Sequence, residues 1–413
     1  MRTILHSDAN SFYASVECLF DPSLRGKAVA VCGSAADRHG IVLAKTEKAK
    51  RAGVKTGQAN WQALQTCPDL LMVEPHYERY MYFSRRLRAI YGCYTDQVEP
   101  YGMDECWLDV TGSSASGGGL AIANEIRRRV REELGITVSV GVSFNKVLAK
   151  LGSDMKKPDA VTVLDSENWR SLVWPLPVGE LLYAGPATVR KLRARGILTI
   201  GDLALCPSSL LLSWFGVNGL MLGRFARGED EGRVLRADES LPVQSVGHGT
   251  TCVEDLYENE QVWRVLYALS QDVGHRLREA DVFATGVEIG IRDNALFCVS
   301  AQTKLSLPSQ SPLELSRAAF ALFRRKYPWP KPVRALTIRA IRLIPLPSAL
   351  QTDLFGDVSR HARRQALDDC VDALRGRYGE EALVPARLMG DLKMAQDHCD
   401  LVAMPGSLLR TAG

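Results

Sequence analysis

Val98-Glu-Pro-Tyr-Gly-Met-Asp-Glu-Cys-Trp-Leu-Asp-Val110 reads as strand, tight turn, strand, and it places two adjacent acids, Asp104 and Glu105, at the bend. Adjacent side chains on a strand point to opposite faces, whereas a turn lets both reach one point. Gly102 permits the bend, and Cys106 to Val110 alternates apolar and polar residues. A third acid, Asp8, ends the apolar opening Thr3-Ile-Leu-His-Ser-Asp8. Three converging carboxylates would raise one another's pKa unless a cation neutralised them, so the pattern predicts a divalent-metal site. Oxygen ligands without His or Cys suit a hard ion.

The rest of the chain must supply a scaffold. Its 413 residues exceed one ordinary core and predict two to four domains. Hydrophobic residues make up 46% and charged residues 24%, which is the balance of a soluble globular protein. A net charge of +4 permits a nucleic-acid partner without requiring one. The 10 cysteines include no Cys-x-x-Cys pair, which argues against structural zinc and for a reducing compartment. No long apolar run appears, so a cytoplasmic chain with no membrane span is expected.

Strands and helices alternate to about residue 165, with a small lobe inserted at 22–77. Residues 168–232 read as helical, and 233–242 as a charged linker containing Pro242. From 243 to 345 the order strand, helix, strand, strand, helix, strand gives the ferredoxin-like βαββαβ pattern. A Pro-containing tether follows, and then a charged helical tail within 346–413.

Four motifs in order then carry a resemblance: His6-Ser-Asp-Ala-Asn-Ser-Phe-Tyr-Ala14, Tyr101-Gly-Met-Asp-Glu105, Gly141-Val-Ser-Phe-Asn-Lys-Val-Leu-Ala-Lys150 and Asp154-Met-Lys-Lys-Pro158. Together they resemble the Y-family translesion DNA polymerases of the bacterial DNA polymerase IV type. The resemblance implies an α+β right hand with a mixed or antiparallel palm sheet at 1–21 and 78–167. It further implies small fingers at 22–77, a helical thumb at 168–232 and a little finger at 243–345. Asp8, Asp104, Glu105 and the Ala9 carbonyl would hold two Mg²⁺ ions, with Mn²⁺ able to substitute.

Tyr13 matches the steric gate that rejects a ribose 2′-hydroxyl, and Phe12 packs beside the sugar. Lys157 matches a lysine that contacts the triphosphate, and Lys146 and Lys150 are expected near primer or triphosphate. Where relatives place a tyrosine and an arginine on the triphosphate, this chain has Glu47 and Lys50, with Lys45, Thr46 and Arg51 as possible substitutes. Ile41 falls where the family roofs the nascent base pair. In the thumb, Ala184-Gly-Pro-Ala-Thr-Val-Arg-Lys191 resembles a helix-hairpin-helix with one of its glycines kept. Gly185, Arg190 and Lys191 would meet DNA phosphate there. Arg292, Lys304 and Arg339 on predicted little-finger strands would meet the duplex backbone.

Gln351-Thr-Asp-Leu-Phe355 resembles the peptide that docks on the bacterial sliding clamp, through Gln351, Leu354 and Phe355. The partners so implied are primer-template DNA, dNTP and the β clamp, bound by a monomer. Two other readings stay open on the sequence: a polymerase-like accessory protein that binds DNA and clamp without catalysis, and another nucleotidyl transfer such as a cyclase.

Overall fold

The computed structural model describes residues 2–113, 117–239, 241–345 and 358–394. These fall into two compact units. The first holds residues up to 32 together with 42–241, and the second holds 33–41 and the described part of 242–400.

The first unit opens with β1 (Ile4–Ala9), α1 (Phe12–Phe20) and β2 (Val29–Cys32). It continues with β3 (Val42–Lys45), α2 (Glu47–Arg51), α3 (Asn60–Thr66), β4 (Leu71–Val73) and α4 (Tyr77–Gly92). Next come β5 (Val98–Pro100), β6 (Glu105–Asp109), α5 (Gly118–Leu134), β7 (Val138–Ser143), α6 (Lys146–Met155) and β8 (Val161–Leu164). Five further helices end it: α7 (Trp169–Val173), α8 (Pro186–Arg193), α9 (Ile200–Leu205), α10 (Ser208–Phe215) and α11 (Val217–Ala226).

One five-stranded sheet, in the order β5-β6-β1-β7-β8, carries the acids. Its period-2 alternation explains what lies on each side. Leu5, Cys106, Leu108, Val138, Val140 and Val142 face one way and join Phe12, Tyr80, Leu87, Ile122 and Ile126 of α1, α4 and α5 in one core. The intervening residues His6, Asp8, Glu105, Trp107 and Gly141 face the other way, toward α6. Gly141 and Gly152 let the α6 backbone lie directly on β7: a Cβ at Gly141 would stand 1.9 Å from the Ala149 carbonyl oxygen. The outer side of α6 buries Val147, Leu148 and Leu151 among α8, α9, α10 and α11, with Leu192, Ile200, Leu203, Leu211 and Leu222.

A separate small sheet, β3-β2-β4, pairs β2 with β3 antiparallel and with β4 parallel. The segment read as a linker is less free than its charge pattern implies. Val234 is buried with Ile4, Trp107 and Ala149. The Leu235 N–H donates to Glu99 Oε2 at 3.0 Å, and the Ala237 N–H donates to the Asp96 carbonyl at 2.9 Å.

The second unit contains β9 (Ser245–Leu256), α12 (Asn259–Glu279), β10 (Val282–Asp293), β11 (Cys298–Ser309), α13 (Pro312–Lys326), β12 (Val333–Pro345) and α14 (Val358–Tyr378). The element order is the expected βαββαβ. The sheet, however, runs β11-β10-β12-β9, all antiparallel, with the first strand at an edge. An interleaved ferredoxin-like sheet would place that strand inside. Helices α12 and α13 cover one face through Val265, Leu266, Leu269, Leu315, Ala319 and Phe323. The charged tail returns to this domain, where Asp372 of α14 accepts from Arg278 at 2.6 and 2.9 Å and pairs with His275 at 3.1 Å.

Candidate active site

The acids meet because of strand register. Asp8 on β1 lies directly opposite Glu105 on β6, and the Ala9 N–H donates to the Asp104 carbonyl at 3.0 Å. Asp104 occupies the turn just before β6, with Gly102 close against its carboxylate. Helix α6 brings Lys150 over them: its ammonium is 2.9 Å from Glu105, 3.3 Å from Asp8 and 3.2 Å from Asp154. Lys157 lies 2.8 Å from both Asp8 and Asp154. The loop that carries Lys157 is held by Asn10, whose Oδ1 accepts from the Asp159 N–H at 2.9 Å. In this arrangement two lysines supply the positive charge. Among the described residues no three His, Cys, Asp or Glu side chains converge tightly enough to enclose a metal ion.

Gathering like charges in a buried place shifts the protonation of these groups. Burial first, and then Asp8 and Glu105, push the Asp104 carboxyl up to about 7. Burial and Glu105 also raise Asp8, against the pull of Lys150 and Lys157. Burial alone would raise Glu105 too, but His6 and Lys150 outweigh it and hold that carboxyl well below the usual range. The Lys150 ammonium is desolvated, which favours its neutral form, yet Glu105, Asp8 and Asp154 more than compensate and raise its pKa. All four groups show a centre organised around opposed charge.

Tyr13 lies on the first turn of α1. Its ring stacks on Tyr80 at 4.1 Å between centroids and 10° between planes. Its hydroxyl donates to Met103 Sδ at 3.2 Å, one residue from Asp104. Phe12 is buried beside it. The gate candidate and the acids therefore share one neighbourhood.

Known proteins share both the sequence and the architecture. A family model described as impB/mucB/samB family matches residues 7–154, and its C-terminal domain model matches 243–354. DNA polymerase IV of Acetivibrio thermocellus is 47% identical over 379 residues, covering 92% of this chain and 95% of that one. DNA polymerase IV 1 of Bacillus subtilis is 37% identical over 384 residues, covering 92% of each. The chain belongs to the Y family of DNA polymerases. A solved Y-family DNA polymerase chimera shares the fold, with a TM-score of 0.74 at 23% identity over 83% of this chain and all of that one.

Within this Y-family polymerase, Lys146 is not where the helical spacing put it. It is 7% exposed, and its ammonium sits 2.7 Å from Glu99 and 4.4 Å from the Trp107 ring centroid. Trp107 Nε1 donates to its carbonyl at 3.0 Å. A buried, ion-paired lysine under an indole is unavailable to DNA. Lys146→Ala is expected to cost about 3 kcal/mol by leaving Glu99 without its cation. The same variant should leave the salt slope of DNA binding unchanged. Thermal melting and a salt titration of DNA affinity check the two halves.

Thr46 is a second correction. Its hydroxyl accepts from the Val29 N–H at 3.0 Å and donates to the Lys27 carbonyl at 3.1 Å, so it braces the small sheet. Lys50 is half exposed and only loosely paired with Glu47, at 3.7 Å. Ile41 is 43% exposed at the end of its loop.

In the thumb segment Gly185 precedes Pro186 at the start of α8, and Gly185, Arg190 and Lys191 are all exposed. In the second unit the uncovered sheet face carries Arg292, Lys304 and Arg339, paired in register with Cys298, Gly286 and Glu288. Arg339 is 3.5 Å from Glu288. Gln351, Leu354 and Phe355 lie outside the described residues.

His6 and Asp154 open two of the motifs, but the sequence analysis gives neither a role in the site. His6 is fully buried, with Nδ1 2.8 Å from Ser153 Oγ and Nε2 3.3 Å from Glu105. Its position two residues before Asp8, hence on the same strand face, was the available signal. Asp154 lies four residues after Lys150 and three before Lys157, a spacing that also could have flagged it.

Proposed function

We propose that this chain, a template-directed DNA polymerase, extends primers past damaged template bases using Asp8, Asp104 and Glu105 as the ligands of two Mg²⁺ ions. Y-family DNA polymerases bind primer-template DNA and dNTP, and their reaction depends on divalent metal. Support for this assignment comes from the three carboxylates, two on adjoining strands and Asp104 in the turn beside them, whose burial and mutual repulsion call for concentrated positive charge. Their all-oxygen chemistry fits Mg²⁺, and Mn²⁺ can substitute. Bound there, with the Ala9 carbonyl as a further ligand, the ions would lower the pKa of the primer 3′-hydroxyl and stabilise the pyrophosphate leaving group.

The chain's own residues do the rest. Lys157 and Lys150 carry mobile ammonium groups that turn from the acids toward triphosphate oxygens. Tyr13, with Phe12, blocks a 2′-hydroxyl. Lys50 lends charge to the triphosphate without the fork of an arginine, and Ile41 roofs the base pair. Gly185, Arg190 and Lys191 of the thumb (168–232) attract DNA phosphate, and so do Arg292, Lys304 and Arg339 of the little finger (243–345). The palm (1–21 and 78–167) holds the chemistry, and the fingers (22–77) are small enough to tolerate distorted template bases. The polymerase acts as a cytoplasmic monomer recruited by the sliding clamp through Gln351, Leu354 and Phe355.

Primer extension on undamaged and abasic templates, with and without clamp, tests this reading. Wild type should copy both templates and gain processivity with clamp. Changing Leu354 and Phe355 to Ala should remove the gain and spare clamp-free extension. A wild-type protein that stops at every abasic site would contradict the lesion-bypass assignment. Clamp stimulation that survives the double substitution would contradict the peptide assignment.

A further inference from the structure

Behind Tyr13 stands a chain of contacts that neither the acids nor the triphosphate uses. One face of the Tyr13 ring rests on Tyr80 of α4, which is fully buried. The Tyr80 hydroxyl donates to Glu17 Oε1 at 2.5 Å. Glu17 belongs to α1, four residues after Tyr13 and so on the same helix face. It is 4% exposed, an unusual place for a carboxylate. Arg79 donates to its other oxygen at 2.9 Å, and His76 Nδ1 lies 3.1 Å from both oxygens. Tyr77 meets Tyr13 and Tyr80 edge-on, at 6.1 and 5.8 Å.

A buried carboxylate with three partners costs desolvation, so its retention needs a purpose beyond filling space. Here the geometry supplies one. The ring that must stop a 2′-hydroxyl can work only if it does not recede when pushed. Tyr80 is the surface it would recede into, and the hydroxyl-to-carboxylate bond fixes how far Tyr80 can slide along α4. At its other end the Tyr13 hydroxyl is tied to Met103, which is itself buried. The gate is thus clamped by the stack behind and the sulfur at its tip.

We propose that Glu17 and Tyr80 are positioning residues for sugar selection: the buried carboxylate locks Tyr80, and Tyr80 holds the Tyr13 ring against the incoming sugar. This rests on Tyr13 being the gate. A ring free to retreat by a fraction of its thickness admits one extra oxygen, so the damage should appear with ribonucleotides and not with deoxynucleotides.

The experiment measures the ratio of kcat/KM for a ribonucleotide to that for its deoxy form, on a primed template, alongside thermal melting. Tyr13→Ala should raise the ratio roughly 100-fold. Glu17→Ala and Tyr80→Leu should raise it roughly 5- to 20-fold with Tyr13 intact. Tyr80→Phe, which keeps the stacked ring and loses only the bond to Glu17, should raise it roughly threefold and guards against misfolding of the larger changes. Each of these combined with Tyr13→Ala should add nothing to Tyr13→Ala alone, because all act through one ring. If Tyr13→Ala raises the ratio while the Glu17 and Tyr80 variants only lower the melting temperature, the positioning role is overturned and the gate stands. Effects that multiply with Tyr13→Ala overturn it as well. An unchanged ratio in Tyr13→Ala removes the gate itself.

Discussion

Asp104→Asn should abolish primer extension, by about 10³-fold or more in single-turnover rate, equivalent to about 4 kcal/mol of transition-state stabilisation. The replacement keeps the shape of the side chain and removes one charge from the proposed metal-binding set. The same variant should be more stable than wild type in metal-free buffer. Burial and the neighbouring Asp8 and Glu105 push the Asp104 carboxyl up to about 7, above its unfolded value. A raised carboxyl contributes stability below its unfolded pKa, and that contribution is lost as pH rises through the folded pKa. Wild type therefore loses stability on going from pH 5 to pH 8 as Asp104 ionises beside two other acids, and Asp104→Asn escapes that loss. Melting curves in chelator at the two pH values should show the variant gaining most at pH 8. Equal pH dependence of the two proteins would remove the repulsion argument.

Gly141→Val should cost about 4 kcal/mol or more. The reason is contact with backbone and not with a side chain that can turn aside. A Cβ there would lie 1.9 Å from the Ala149 carbonyl oxygen and 2.5 Å from the Ser153 nitrogen. Relief requires α6 to lift off β7, and α6 carries both Lys150 and the Ser153 that meets His6. The folded fraction that survives should have lost extension activity in excess of its loss of stability. Denaturant titration together with activity per folded molecule checks this. A variant with wild-type midpoint would mean that α6 does not pack on Gly141.

Much of the fold is legible in the sequence. Asp8, Asp104 and Glu105 could be found because strand alternation and a glycine turn constrain where carboxylates can point. The apolar faces of β1, β6 and β7 follow from the same alternation, and the little-finger element order follows from lengths and periodicity. The order of strands within that sheet does not, because it depends on which edges find each other in space.

Lys146 was misplaced for a related reason. Its spacing from Lys150 is right for a shared helix face, but whether that end of the helix meets solvent or Glu99 and Trp107 is decided by elements distant in sequence. Thr46 looked like a ligand donor because its bond to Val29 is invisible until β2 and β3 pair. The linker read as free because Val234 is one apolar residue in a charged run, and only Ile4 and Trp107 give it somewhere to go. Glu17 offered no signal at all: a lone acid in a short helix looks like a solvated residue until Tyr80, Arg79 and His76 are folded over it.

If the proposed site is right, Asp8 and Glu105 exchange their lysine partners for metal when substrate arrives, and Asp104, which has no lysine partner among the described residues, joins them as a ligand. Anomalous diffraction from crystals of the polymerase with primer-template DNA and an incoming dNTP, grown in Mn²⁺, measures it directly. Two anomalous peaks should lie among these three carboxylates, with the Lys150 and Lys157 ammonium groups moved off Asp8. Bound DNA and dNTP with no peak at the three acids, or with both lysines still on Asp8, would contradict it.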